Sequence, residues 1–183
     1  MAFCTGPAWR QMLEEEILPA VLGPVDLGER VVEVGPGAGF TTEALQRRAA
    51  HVTAVEVDPE LAARLRARLG GPAVEVVHGD ARRTGLPTGS FTGAASFHML
   101  HHVATDAGQD EIFAELRRLL GPGGRLAMTD GVDREGVREF HEGDTYHPVD
   151  PDGLPARLER AGFAGVRVGH HEIGWYCWAA VPA

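Results

Sequence analysis

The stretch Arg30-Val-Val-Glu-Val-Gly-Pro-Gly-Ala-Gly39 decides the fold of this 183-residue chain. Its first five residues are short and mostly β-branched, which is typical of a buried parallel strand. The glycines that follow permit a tight turn and a close approach of a ligand to the backbone. A helix is predicted directly after the turn, and its N-terminal N–H groups can bind an anion. The stretch therefore predicts a nucleotide-like ligand at the carboxyl end of the first strand.

Strands and helices alternate along most of the chain. Predicted strands cover residues 30–34, 51–57, 73–78, 91–97, 125–129, 165–170 and 173–181, and predicted helices cover residues 7–22, 41–50, 58–69, 109–120 and 152–161. This alternation predicts an α/β fold with a parallel sheet covered by helices on both faces. The connection Gly169–Glu172 between the last two strands is too short for a parallel crossover, so we expect these strands to pair antiparallel.

Acidic residues lie at or near the ends of the first three predicted strands. Glu33 lies in the first strand, next to the glycine turn, and Glu56 lies at the end of the second, where a carboxylate can accept both hydroxyls of a ribose. Asp80 follows the third strand, where a carboxylate can accept a hydrogen bond from an exocyclic amine. Three acids at three successive strand ends favour a nucleotide site over a solvated surface.

The composition excludes several other functions. The chain has no lysine, so it contains neither a Schiff-base lysine nor a Walker-type phosphate loop. Cys4 and Cys177 form no metal or redox motif and indicate a reducing, cytoplasmic location. No apolar run approaches about 20 residues, so no membrane span is expected. The N-terminal residues Met1–Thr5 lack the charged and apolar regions of a secretory signal, so none is expected. A net charge of -9 makes nucleic acid an unexpected partner.

These motifs together resemble class I S-adenosylmethionine (SAM)-dependent methyltransferases. The resemblance rests on the E-x-G-x-G-x-G loop at Glu33–Gly39, on Glu56 and Asp80, and on the segments Ser96–Val103 and Leu116–Leu126, and it extends over about residues 25–183. It implies a Rossmann-like, doubly wound sheet of seven strands, mostly parallel with an antiparallel last strand. It also implies SAM as the cofactor and methyl transfer as the activity.

The resemblance assigns roles to individual residues. Glu33 is expected to orient the glycine loop, Glu56 to bind the ribose, and Phe97 to flank the methionine part of SAM. Asp80 and Ala81 are expected to lie at the edge of the adenine. The full set of predicted cofactor-binding residues is Glu33, Gly35, Gly37, Gly39, Glu56, Val57, Asp80, Ala81 and Phe97.

A dehydrogenase is the main alternative for the glycine loop. Its fingerprint is G-x-G-x-x-G, but counting from Gly35 the sixth residue is Phe40, and the third glycine is Gly39. The acids and the Gly-Pro-Gly-Gly turn at residues 121–124 favour SAM.

The cofactor half, around Val52–Leu65, also resembles rRNA adenine dimethyltransferases. Those enzymes carry an Asn- or Asp-Pro-Pro-aromatic motif after the fourth strand, where this chain has Ser96–Met99. The histidine-rich segment here is similar instead to small-molecule methyltransferases, some of which place a histidine near the transferred methyl group. His102 and His98 are therefore candidate general bases, since the usual histidine pKa of about 6.5 suits proton transfer. Alternatively, these histidines only orient their loop.

We expect one methyltransferase domain over residues 1–183. Residues 1–24 form an N-terminal helical cap in the resemblance, and residues 130–151, at the cofactor edge of the sheet, form a candidate substrate loop. The candidate substrate-binding residues are His141, Tyr146 and His147. A metal site of His141, Asp144, His147 and Asp150 is chemically possible, but its spacing matches no standard motif, so no metal is predicted.

The predicted function is SAM-dependent methylation of a small-molecule acceptor by a monomer or homodimer. The absence of lysine and asparagine indicates a GC-rich, bacterial genome. Two alternatives stay open: a non-catalytic SAM-binding domain, and an RNA or protein methylase that needs a partner subunit.

Overall fold

A computed structural model describes residues 6–133, 138 and 143–183 of the chain. The described residues contain one sheet of seven strands. These are β1 (Arg30–Val34), β2 (His51–Glu56), β3 (Val74–His78), β4 (Phe91–Phe97), β5 (Leu120–Gly131), β6 (Ala164–His171) and β7 (Gly174–Ala180). Their order across the sheet is β3-β2-β1-β4-β5-β7-β6. The predicted Rossmann-like, doubly wound fold is therefore confirmed.

The directions of the strands identify the edge of the sheet at which a ligand is expected to bind. Strands β1 to β5 run parallel, and β7 pairs antiparallel with both β5 and β6, as the short connection before it predicts. We call the side where β1 to β5 end the carboxyl edge. The chain order reverses between β1 and β4, and in open α/β sheets ligands bind in the crevice outside such a reversal.

The helices lie on both faces of the sheet. They are α1 (Pro7–Met12), a π-helical turn (Leu13–Ile17), α2 (Leu18–Leu22), α3 (Phe40–Gln46), α4 (Pro59–Leu69), a 3₁₀ turn (Leu100–His102), α5 (Asp106–Leu119) and α6 (Leu154–Arg160). The first three segments run on without a break, and we call them together the cap helix.

Alternation of side chains along each strand builds the two cores. In β1, Val31 packs with the cap helix, α3 and α4, whereas Val32 and Val34 pack with α5 and α6. Each fully buried aliphatic side chain of this kind contributes roughly 1.5–3 kcal/mol relative to an exposed one. Both faces of β1 are thus buried, which explains its unbroken apolar sequence and holds the loop after it firmly.

Some element boundaries differ from those predicted. Helix α3 ends at Gln46 rather than Ala50. Helix α5 begins at Asp106 rather than residue 109, because the Thr105 hydroxyl accepts the Gly108 N–H and caps the helix. Strand β5 includes residues 121–124, which were predicted to form a turn, and its pairing with β4 shifts in register there.

Among the described residues, no helix has the length and apolarity to cross a membrane.

Candidate active site

The glycine loop connects β1 to α3 at the carboxyl edge. Gly35, Gly37 and Gly39 all have positive φ, between +51° and +77°, which glycine adopts at little cost. The Gly35 N–H donates to the Val55 carbonyl at 2.9 Å, and this ties the loop to β2. Among the described residues, apart from its two chain neighbours, no atom lies within 4 Å of the place where a Cβ on Gly37 would sit. The backbone at Gly37 therefore borders open space that a ligand can occupy.

Glu33 joins the strand before the loop to the helix after it. Its carboxylate is buried and accepts the hydroxyls of Thr41 and Thr42, the latter at 2.6 Å. Burial raises the pKa of Glu33 to about 7, although the two hydroxyl hydrogen bonds oppose the rise. The structure thus places Glu33 beneath the loop, in contact with α3 rather than with the open space.

Glu56, the last residue of β2, lies against the glycine loop. One carboxylate oxygen accepts the Gly37 N–H and the other accepts the Asp58 N–H, both at 3.0 Å. Each oxygen can accept a second hydrogen bond, so the carboxylate keeps capacity for a diol. The next residue, Val57, is 65% exposed and leaves an apolar side chain uncovered beside this carboxylate.

Asp80 lies beyond the end of β3 and is paired with an arginine. Its carboxylate accepts hydrogen bonds from Nε and Nη2 of Arg82, the latter at 2.6 Å, and from the Arg82 backbone N–H. These hydrogen bonds hold the pKa of Asp80 below its usual range. Ala81 is half-buried against the core. Arg82 therefore competes with any ligand for this carboxylate, and the sequence alone did not reveal that pairing.

The cap helix is fastened over the glycine loop by charged side chains. The Glu43 carboxylate of α3 accepts a hydrogen bond from Nη2 of Arg10 at 2.9 Å and another from Arg68 of α4. Arg68 also donates a hydrogen bond to the Ala38 carbonyl in the loop. The Arg10 guanidinium lies over the Phe40 ring, 5.2 Å from its centroid. We call Arg10, Glu43 and Arg68 the cap clamp, because they connect the cap helix, α3, α4 and the loop.

Phe97, the last residue of β4, and His98, the next residue, lie under the cap helix. Phe97 is buried in the same core cluster as Trp9, and the Trp9 ring meets the His98 ring edge-on, with centroids 4.9 Å apart. His98 has φ of +50°, a strained value for a residue other than glycine, and such strain concentrates at functional sites. Its Nε2 atom is buried without a hydrogen-bond partner among the described residues. Burial lowers the pKa of His98 to about 4, so the ring is neutral at pH 7.

The structure brings forward two residues that the sequence did not single out, His101 and Asp130. Asp130, near the end of β5, is 0% exposed, and its Oδ1 lies 2.5 Å from Nδ1 of His101. The His98 Nδ1 lies 4.0 Å from the same oxygen. The available signal was the position of Asp130 directly after the predicted fifth strand, because the carboxyl ends of neighbouring parallel strands meet at one edge.

The remaining predicted residues lie further out. His102 is about one-third exposed, with its Nδ1 3.4 Å from Oδ2 of Asp144. His147 directs Nε2 to Asp106 Oδ1 at 2.9 Å, while its backbone N–H donates to the His101 carbonyl at 2.7 Å. The Tyr146 ring is 5.7 Å from the His101 ring, centroid to centroid. His141 lies outside the described residues. Within residues 6–133, 138 and 143–183, no group of three acidic, histidine or cysteine side chains is arranged to hold a metal ion.

Solved structures share this fold. A Haloferax volcanii protein in complex with the Trm112 methyltransferase activator superposes with a TM-score of 0.76 at 16% identity, over 99% of this chain and 97% of that one. The S-adenosylmethionine-dependent methyltransferase of Mesorhizobium loti superposes with a TM-score of 0.75 at 20% identity, over 92% of this chain and 99% of that one. The architecture is therefore that of class I SAM-dependent methyltransferases.

Sequence comparisons identify the family. The model of the methyltransferase domain family matches residues 32–128, more than half of the chain, and this protein belongs to that family. Protein-L-isoaspartate O-methyltransferase 1 of Anaeromyxobacter sp. (strain Fw109-5) is 35% identical over 134 residues, which are 71% of this chain and 60% of that protein. An uncharacterized methyltransferase of Geobacillus kaustophilus (strain HTA426) is 32% identical over 117 residues, 63% of this chain and 54% of that one. The chain thus spans between about half and three fifths of these relatives' length. The cofactor of the class is SAM.

Proposed function

We propose that this protein transfers a methyl group from SAM to a small-molecule acceptor at the carboxyl edge of the sheet. The observation that carries the proposal is the Glu56 carboxylate, held by the N–H groups of Gly37 and Asp58 beside open space. SAM supplies a methyl group activated by a positively charged sulfur. The protein's part is to hold donor and acceptor in line and to exclude water.

The residues at this edge fit a nucleoside. The free lone pairs of Glu56 suit the two ribose hydroxyls, and the uncovered side chain of Val57 suits the face of an adenine ring. Asp80 and Ala81 are proposed to meet the adenine edge, with Arg82 sharing the Asp80 carboxylate. Phe97 is proposed to flank the methionine part. Glu33 is proposed to act indirectly, since its contacts fix the geometry of Gly35, Gly37 and Gly39.

The cap helix favours a small acceptor. It covers the end of β4, where Trp9 packs on His98, and the cap clamp holds it against the glycine loop. A large substrate would have to displace this helix before it reached the methyl group. We therefore propose that the acceptor enters beside the 3₁₀ turn, where Tyr146 and His102 are partly exposed. His141 and His147 remain proposed contacts of this side of the site.

His98 and His102 are proposed to contact the acceptor. Because the pKa of His98 is held near 4, its neutral ring is a weak base and is better suited to accept or donate one hydrogen bond. His102 is accessible to solvent and lies close to Asp144, so it can exchange a proton with water.

A protein acceptor is the second candidate, because several relatives are named protein-L-isoaspartate O-methyltransferases. Such an acceptor presents a carboxylate. Beside the 3₁₀ turn lies an accessible acid, Asp144, which is 3.4 Å from His102, whereas Asp130 is buried and Asp133 is paired with Arg138. Asp144 would repel a carboxylate, which favours a neutral or basic small acceptor.

Calorimetric titration with S-adenosylhomocysteine, the product of SAM, tests the cofactor site. We expect binding to the wild-type protein and at least about tenfold weaker binding in Glu56→Ala and Asp80→Ala, since each loses an acceptor worth about 1.4 kcal/mol or more. Glu75→Ala is the matched control, because Glu75 is an exposed acid on β3, before the strand end. Wild-type protein that is folded, free of carried-over ligand and unable to bind contradicts the proposal.

Transfer of a radiolabelled methyl group to a panel of acceptors tests the second half of the proposal. The panel contains phenols, amines, activated carbon acids and an isoaspartyl peptide. Turnover with a small compound is the expected result. Turnover with the peptide alone identifies a protein methylase, and S-adenosylhomocysteine binding without turnover on any acceptor supports a non-catalytic SAM-binding domain.

A further inference from the structure

Arg82 occupies the carboxylate of Asp80, which is proposed to meet the adenine edge of the cofactor. Resting on the proposed function, we infer that Arg82 is an internal competitor for the cofactor. Its guanidinium must give up a contact with Asp80 before the 6-amino group of adenine can donate to that carboxylate. Arg82 thereby weakens the binding of SAM and of its product, and it determines how much affinity the adenine amine contributes.

The hydrogen-bond capacity of Asp80 is filled by this one residue. Oδ1 accepts the Arg82 backbone N–H at 2.9 Å and Nε at 3.1 Å, while Oδ2 accepts Nε at 3.0 Å and Nη2 at 2.6 Å. An ionised carboxylate has about four lone-pair sites, and these four contacts use them all. A new donor therefore has to replace one of the contacts of the arginine.

The other carboxylate proposed to bind the cofactor differs in this respect. Each oxygen of Glu56 accepts one backbone N–H, from Gly37 or from Asp58. A ribose hydroxyl can therefore bind to Glu56 without displacing a side chain. The competition arises at the adenine end of the site rather than at the ribose end.

The Arg82 side chain is free to move away from Asp80. The side chains of Arg82 and Asp80 are 49% and 40% exposed, and an exposed ion pair is weak because water screens it. The hydrogen bond and the charge of Asp80 raise the pKa of Arg82, and the charge of Glu111 on α5 raises it further. Glu111 is therefore a second acid that the guanidinium can approach when an amine takes its place.

The position of Asp80 depends little on the Arg82 side chain. The Asp80 carbonyl accepts the Arg83 N–H at 3.0 Å, and its carboxylate accepts the Arg82 backbone N–H, which every substitution except proline retains. Further along the loop, the N–H and hydroxyl of Thr84 donate to the buried Glu115 carboxylate at 2.8 and 2.6 Å. Replacing the Arg82 side chain therefore removes the competitor and leaves the carboxylate in place.

Calorimetric titration with S-adenosylhomocysteine of the wild-type protein, Arg82→Gln and Arg83→Gln tests the inference. We expect Arg82→Gln to bind about two- to fivefold more tightly, which is the range expected when an exposed ion pair no longer has to be broken. Arg83→Gln is the matched control and should bind as the wild type does, because the Arg83 side chain acts on Asp80 through its charge rather than through a hydrogen bond. The gain should disappear when Arg82→Gln is combined with Asp80→Ala.

A second ligand separates competition for the amine from a general effect of charge. The analogue of S-adenosylhomocysteine with hydrogen in place of the 6-amino group cannot donate to Asp80 from that position, so its affinity should be the same in the wild type and in Arg82→Gln. Equal tightening for both ligands, equal tightening in Arg83→Gln, or a gain that persists without Asp80 overturns the inference. Absence of S-adenosylhomocysteine binding in all three proteins defeats the proposed function and the inference with it. Normal wild-type binding that Arg82→Gln fails to tighten defeats only the role of Arg82.

Discussion

At the scale of single residues, replacing Gly37 by alanine has two separable effects. It strains the backbone, which lowers stability, and it fills the space proposed for the ligand, which weakens binding. The φ of Gly37 is +51°, and a Cβ there would lie more than 4 Å from every described residue except its two chain neighbours. In Gly37→Ala we expect a loss of about 1–2 kcal/mol in the free energy of unfolding, from the left-handed backbone alone. We also expect S-adenosylhomocysteine binding to weaken at least tenfold, because the methyl group occupies the space proposed for the ligand. Urea denaturation and calorimetry measure the two effects.

Gly123→Ala is the control for that experiment. Gly123 also has positive φ, +73°, with open space around its Cβ position, but it lies in the turn before the long part of β5, at the other end of the sheet. A similar loss of stability with unchanged binding is expected. Equal binding by both alanine variants would show that the space at Gly37 holds no ligand.

At the scale of secondary-structure elements, the cap clamp controls how firmly the cap helix covers the site. Glu43 serves two arginines from two other helices, so Glu43→Gln should weaken both contacts at once. We expect faster hydrogen exchange in residues 7–12, and a loss of stability of about 1 kcal/mol or less, because these side chains are partly exposed. Glu14→Gln removes a partner of Arg10 within the same helix and should leave that exchange nearly unchanged. Equal exchange in both variants would exclude the clamp.

The elements also show what a sequence can and cannot reveal. Strands β1 and β4 have the predicted bounds, because buried β-branched and apolar runs end at turn residues. The Asp130–His101 and Arg10–Glu43 contacts join residues 29 and 33 positions apart. They depend on which strands and helices become neighbours, and on side-chain directions that periodicity does not specify. Asp80 and Arg82 are close in sequence, but whether their side chains pair depends on their rotamers, which the sequence pattern does not specify.

At the scale of the whole molecule, two buried groups give the stability opposite dependences on pH. Glu33 has its pKa raised from 4.5 to about 7, so the folded state binds more protons than the unfolded state between these values, and stability falls as pH rises. His98 has its pKa lowered from 6.5 to about 4, so the unfolded state binds more protons, and stability rises with pH. Each shift corresponds to about 3 kcal/mol, and the windows overlap between pH 4.5 and 6.5.

Because the two slopes oppose each other, removing one group should reveal the other. Glu33→Gln keeps only the histidine, and we expect its unfolding free energy to rise between pH 4.5 and 6.5 more steeply than that of the wild-type protein. His98→Gln keeps only the carboxyl group, so its unfolding free energy should fall over the same range relative to wild type. Urea denaturation at pH 4.5, 5.5 and 6.5 measures both differences. Two variants whose stability changes in parallel with the wild-type protein would mean that neither group is held in its neutral form by burial, and the weak basicity assigned to His98 would then be wrong as well.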